Sequence, residues 1–208
     1  PGDYATLQLA DENIFVMRGD DRALRGFYNV CRHRAHQLVA GSGNVADIVC
    51  PYHAWRYNKS GELCFARNTQ DINGFENKNY ALHQIQVEEL CGMVFVNLDP
   101  QAESLANRAE GLEQDLRQWV PEFDQLEAVD HNFFGGESGI RANWKVVVDN
   151  YVECYHCEKA HPAFSDLNCM QEYQQETFAT WSRQLGPNTR TDNSAYRFSR
   201  EDPIQHSM

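Results

Sequence analysis

The sequence predicts an α+β chain in two parts, an all-β half followed by a mixed half that opens on helices, and three observations carry that reading. Short apolar runs punctuated by turn residues fill the stretch from Tyr4 to Pro100. A charged segment with leucines at helical spacing follows, and a second helical pattern runs up to Pro162. The domains are therefore expected at 1–100 and 101–208. With 42% apolar and 12% aromatic residues among 208, both halves can bury a core.

In the first half, Ile14–Met17, Gly26–Val30 and Asp47–Cys50 read as strands, and Arg56–Gly61 as a hairpin. The runs Ala81–Val87 and Gly92–Leu98 flank Glu88–Cys91 and are expected to pair as a closing hairpin. In the second half, Leu105, Leu112, Leu116 and Trp119 place one amphipathic helix over 104–120, stopped by Pro121. A Gly135-Gly136 turn precedes a helix over 141–160, marked by Trp144, Val147, Val148, Tyr151 and Tyr155, with Pro162 near its end. Residues 174–183 are read as a strand, and 186–208 carry no periodic signal.

Eighteen Lys and Arg against thirty Asp and Glu leave a net charge of −12, which supplies no basic footprint for nucleic acid or an anionic membrane surface. No apolar run reaches the length of a spanning helix, and Pro1 does not open a secretory leader. Seven cysteines, an odd number, fit metal chemistry in a reducing, cytoplasmic setting better than a disulfide framework.

The first chemical constellation is Cys31-Arg-His33 with Cys50-Pro-Tyr-His53. Two loops, each offering one thiolate and one imidazole, make a four-ligand site that zinc could accept as a tetrahedron. A two-iron, two-sulfide cluster could accept it too, with cysteines on one iron and histidines on the other. Replacing two anionic thiolates by neutral imidazoles leaves such a cluster less negative and raises its potential. His36 is expected to be a neighbour and not a fifth ligand, and Cys64, Cys91 and Cys169 small buried hydrophobes.

The second constellation is Glu153, His156 and His161, with Asn143-Trp-Lys145 upstream. Two histidines and a carboxylate suit a mononuclear iron with open positions for oxygen. On an ideal helix Glu153 and His156 lie about 60° apart, whereas His156 and His161 diverge by about 140°. A bulge or helix end is therefore expected between Cys157 and His161. If Glu153 does not ligate, its position one turn before His156 suits an acceptor that fixes the imidazole. Cys154 and Cys157 form a C-x-x-C around His156, a pattern that also occurs in redox and zinc sites.

At Cys31–Arg34 and Cys50–Tyr57 the sequence resembles the Rieske domain family, whose two cluster loops read C-x-H and C-P-Y-H-x-W-x-Y; Ala35 and Ala54 stand where many members have glycine. Followed by N-W-K and E-x-x-H-x-x-x-x-H-P, the whole chain resembles the oxygenase (α) subunit of Rieske non-haem iron oxygenases. The stretches Asn150–Cys157 and His161–Asp166 are most similar to carnitine monooxygenase oxygenase components and relatives acting on quaternary ammonium compounds. The resemblance implies an all-β Rieske [2Fe-2S] domain and the start of an α+β catalytic domain. It implies that Cys31, His33, Cys50 and His53 hold the cluster and that His156 and His161 hold a mononuclear Fe(II). Glu153, where ring-hydroxylating members carry aspartate, would bridge a neighbouring subunit's cluster to the iron of a homotrimer.

Electrons would come from a flavin- or ferredoxin-type reductase, and dioxygen would hydroxylate a small-molecule substrate next to a quaternary nitrogen, with C–N cleavage after it. The family's third iron ligand is an aspartate further along, and none of Asp166, Asp192 and Asp202 stands in its context. A piece of a longer protein, inactive alone, is expected. The alternatives are an aromatic ring-hydroxylating dioxygenase, a Rieske electron carrier, and a structural zinc module.

Overall fold

A computed structural model of the chain describes residues 1–127, 141–188 and the backbone of 206–207. The expected Gly135-Gly136 turn, Asp192 and Asp202 lie outside the described residues. The chain divides into two compact units, Pro1–Leu105 and Ala106–Met208.

The first unit contains β1 (Asp3–Leu9), β2 (Glu12–Arg18), β3 (Leu24–Tyr28), β4 (Ser42–Asn44), β5 (Ile48–Val49), β6 (Arg56–Tyr57), β7 (Leu63–Phe65), β8 (Gln84–Leu90) and β9 (Met93–Asn97). Six of them form an antiparallel sheet in the order β4-β1-β2-β3-β8-β9, and β5-β6-β7 form a second. Ile14, Phe15, Val16 and Met17 are all buried, so β2 is covered on both faces and reads as a continuous apolar run instead of an alternation. The core of Phe15, Phe27, Leu38, Ile48, Trp55 and Tyr57 also takes in Cys31 and Cys50.

Two hairpins differ in detail from their sequence reading. In β8–β9, Glu88 to Leu90 belong to the strand, and the turn is Cys91-Gly92, with φ of 52° and 69°. Two successive left-handed residues match the twist of the flanking strands. In β6–β7 the Asn58 Oδ1 accepts the N–H groups of Ser60 and Glu62 at 3.0 and 2.9 Å, and this local capture fixes the turn. Cys91 is buried as expected; Cys169 is half-buried, and Cys64 is exposed because it lies on a three-residue strand that covers little.

The second unit corrects three expectations. The single helix over 104–120 is two, α1 (Leu105–Arg108) and α2 (Leu112–Trp119), because Gly111 between them adopts a left-handed φ of 82°. The helix over 141–160 is also two, α3 (Trp144–Tyr151) and α4 (Cys157–Ala160), with α5 (Pro162–Leu167) after them. The strand read over 174–183 is a hairpin of β10 (Gln174–Thr177) and β11 (Ser182–Pro187), turned where Phe178 N–H donates to the Trp181 carbonyl and their rings stack at 3.7 Å. A two-residue β12 (His206–Ser207) pairs with Gly186 and Pro187.

On α3 the side chain of Asn143 accepts the Lys145 N–H at 3.0 Å and starts the helix. Its apolar stripe stays exposed among the described residues, Trp144 by 68% and Tyr151 by 77%. No helix among the described residues is long and apolar enough to cross a membrane.

Candidate metal centres

Cys31 follows β3 and Cys50 follows β5, and the two loops repeat one another bond for bond. Cys31 N–H donates to the His36 carbonyl at 2.8 Å and Cys50 N–H to the Trp55 carbonyl at 2.8 Å. Ala35 N–H donates to the Cys31 carbonyl and Ala54 N–H to the Cys50 carbonyl, both at 3.0 Å. Both loops turn through a left-handed alanine, Ala35 at φ 54° and Ala54 at φ 58°. This explains the glycine usual at these positions: an L side chain there opposes its own backbone.

The four predicted ligands converge as two pairs. Cys31 and Cys50 are 3% and 2% exposed and lie within hydrogen-bonding reach of each other, whereas the rings of His33 and His53 meet edge-on at 4.7 Å toward the surface. Trp55 stacks on His33 at 4.8 Å and is itself held edge-on by Phe75 and Tyr80. The Nδ1 of His53 is buried with no hydrogen-bond partner among the described residues. A buried ring nitrogen without a proton partner is a cost unless a metal takes its lone pair, so the set fits a cluster. A buried thiol pair and an imidazole pair suit two irons, each taking one pair.

Burial pushes the Cys50 thiol up, while the backbone N–H groups of Tyr52 and His53 pull it down. Tyr57, fully buried, has its hydroxyl 3.4 Å from Cys31 Sγ and accepts the Arg32 N–H at 3.1 Å. A Cys31 thiolate has no proton to give, so in that form of the cysteine the hydroxyl is the donor. Tyr57 is thus a functional residue that the sequence reading quoted only as motif; its spacing from Cys50 was the available signal. His36 points its Nδ1 to its neighbour's carbonyl at Gln37, away from ligation.

The second site is held by a break in the helices. The Oε2 of Glu153 accepts the Tyr155 N–H at 2.7 Å, a bond that competes with continuation of α3. Its Oε1 accepts from His156 Nδ1 at 2.5 Å. These bonds, the imidazole first and the Tyr155 N–H second, hold the Glu153 carboxyl below the usual carboxylate range. The contact also fixes the His156 tautomer and leaves Nε2 free to face a metal. His161 ends α4 and precedes Pro162 at φ −126°, ψ 65°, outside the helical region that a following proline disfavours. So the expected helix end before His161 is present, and a second break at 152–156 lies upstream of it. Together they bring the rings of His156 and His161 to 5.1 Å, edge to face.

Both histidines line a cavity of about 830 Å³, with Trp119, Tyr151, Tyr173 and Trp181 among its walls. Arg183 lies over the Trp119 ring and pairs with Asp115 and Glu176, so its charge is answered by two carboxylates.

Comparison with protein families matches residues 1–76 to the Rieske [2Fe-2S] domain and residues 103–207 to the ring hydroxylating alpha subunit (catalytic domain). The second match sets aside a carrier with an unrelated second domain. The chain is 40% identical to the carnitine monooxygenase oxygenase subunit of Acinetobacter baumannii over 187 residues, 89% of this chain and 49% of that protein. It is 38% identical to the glycine betaine monooxygenase oxygenase subunit of Chromohalobacter salexigens over 176 residues, 83% of this chain and 37% of that one. It thus spans half the length or less of these curated relatives. Among solved structures it superposes, at a TM-score of 0.80 and 39% identity, on a quaternary ammonium Rieske monooxygenase described for carnitine oxidation and inter-subunit electron transfer; the match covers 90% of this chain and 51% of that one.

Two outcomes follow from the cluster loops. Glycine at position 35 or 54 relieves the left-handed strain at some entropic cost, so Ala35→Gly and Ala54→Gly should each stabilise by about 0.5–1 kcal/mol. Thermal loss of the visible cluster absorbance should then shift up by roughly 2–6 °C; a downward shift contradicts the strain argument. Tyr57→Phe removes a donor that favours the more negative, reduced cluster, and its potential should fall by about 50 mV, roughly 1 kcal/mol of differential hydrogen bonding. Protein-film voltammetry would show it, and an unchanged potential denies the hydroxyl its role.

Proposed function

Since the chain belongs to the ring-hydroxylating alpha-subunit family and carries a Rieske [2Fe-2S] domain ahead of its catalytic part, we propose that it serves in the oxygenase component of a two-component monooxygenase acting on a quaternary ammonium compound such as carnitine. The carrying observation is the Glu153–His156–His161 arrangement opening on an aromatic cavity. In this reading Cys31 and Cys50 hold one iron of the cluster, His33 and His53 the other, and His156 and His161 the mononuclear iron. When bound, the two groups supply single electrons and a place for dioxygen to be reduced.

The protein's own share is arrangement. The imidazole edge of the first site lies at the surface, where a flavin- or ferredoxin-type reductase can approach, and the thiol end is sealed in the core. Glu153 orients His156 and, since each carboxylate oxygen keeps a further lone pair, carries the contact to a cluster histidine of a neighbouring copy. Supporting that arrangement, for which we propose a homotrimer, is the inter-subunit electron transfer described for the solved relative. The aromatic walls offer π faces to a trimethylammonium group, and with Arg183 paired to Asp115 and Glu176 no unpaired Lys or Arg among the described residues lines the cavity to repel it. A cavity of this size suits a small molecule.

The overall reaction takes one dioxygen, two electrons and two protons, places one oxygen atom on the carbon beside nitrogen and releases the other as water. The resulting carbinol collapses by C–N cleavage, leaving a carbonyl and trimethylamine.

The test is product analysis on the full-length protein with a reductase. Carnitine should yield trimethylamine in proportion to dioxygen consumed; turnover of an aromatic hydrocarbon with none of carnitine contradicts the substrate class. In the same protein, Glu153→Gln should leave cluster spectrum and iron content largely intact while lowering coupled turnover by about 10²-fold or more. Unchanged turnover removes the bridging role. His161→Ala should abolish oxidation and spare the visible spectrum, and loss of colour instead places His161 in the other site.

A further inference from the structure

Of the seven cysteines, Cys154 and Cys157 are joined by a disulfide with their Cα atoms 5.0 Å apart, and the other five are free. The pair brackets Tyr155 and His156 in the stretch between the end of α3 and the start of α4. The contacts that orient the two imidazoles run through this turn. Glu153 engages His156, the Cys154 carbonyl accepts the Cys157 N–H at 3.1 Å, and the Cys157 carbonyl accepts the His161 N–H at 2.9 Å. Both cysteines line the same cavity as the histidines. Without the S–S bond the turn is closed by single hydrogen bonds, each worth little against the entropy of a five-residue loop.

Access differs between the two sulfurs in a useful way. Within this unit Cys154 is half-buried and Cys157 only 6% exposed. Thiol–disulfide exchange needs one approachable thiol and a second poised to resolve the mixed disulfide.

Building on the iron reading above, we propose that Cys154 and Cys157 are a reversible dithiol–disulfide pair whose oxidation state sets how firmly His156 and His161 hold iron. The oxidant is a low-molecular-weight disulfide. The Cys154 thiolate attacks one of its sulfurs and expels a thiolate; the Cys157 thiolate then attacks the Cys154 sulfur and expels the second. Two electrons leave the pair, two protons are released from it, and two small thiols are formed; a small thiol in excess runs the same steps backward. The disulfide fixes the turn and with it the spacing of the imidazoles, and reduction loosens both.

The experiment uses the full-length holoenzyme, equilibrated without oxygen in glutathione buffers of graded ratio. Alkylation and peptide mass spectrometry report the state of the pair, visible absorbance reports the cluster, and a ferrous chelator reports iron release. The expected result is reversible conversion of this pair, cluster absorbance unchanged, and iron release faster from the reduced form by on the order of tenfold. The double variant C154S/C157S should release iron at the fast rate in every buffer. A pair that stays reduced at all ratios overturns the proposal, as does conversion with equal or slower release on reduction. If the pair converts but no iron beyond the cluster binds in either state, the iron assignment falls and takes this control with it.

Discussion

A loop that seals its cysteine inside while turning its histidine outward is the constraint on which the rest depends, and the first unit contains it twice. The cysteine N–H is closed onto the carbonyl five residues later, and a left-handed alanine reverses the chain, so the sulfur lies on the core side of the loop and the imidazole nearer solvent. Two such loops, one carried by each sheet, produce a buried thiol pair and a surface imidazole pair. That polarity has a chemical consequence. A cluster held there would be approached from solvent through its histidine ligands, with its cysteine ligands in the core.

The second unit solves a different problem, since a regular helix would point His156 and His161 apart. The carboxylate of Glu153 does two things with its two oxygens: one draws the Tyr155 N–H out of the helical ladder, the other fixes the His156 ring. Pro162 then keeps His161 out of helical backbone. The same residue that breaks the helix thus orients the His156 imidazole, which explains why a carboxylate stands at that offset.

Much of this was legible because its causes are local. The pairing of cysteine and histidine on two loops, the strands of the first unit and the need for a helix end near His161 follow from residue type and spacing. What could not be read is nonlocal or conformational. Gly111 lies in a stretch whose leucines keep helical spacing, and only its left-handed φ shows that the helix stops there. Glu153 breaks α3 through a side-chain bond that propensity does not encode. The hydroxyl of Tyr57 acts on a sulfur twenty-six residues away. Phe178 and Trp181 stack to turn a hairpin where alternation reads as one strand, and the exposure of Cys64 follows from how little β7 covers.

The most direct test of the two-centre account is the iron and acid-labile sulfide content of the purified full-length protein, taken with its EPR spectrum after reduction. The account predicts about three irons and two sulfides per chain, with a reduced-cluster signal shaped by mixed thiolate and imidazole ligation. A single zinc per chain without sulfide would contradict it, and so would a sulfide-bearing protein holding no iron beyond the cluster.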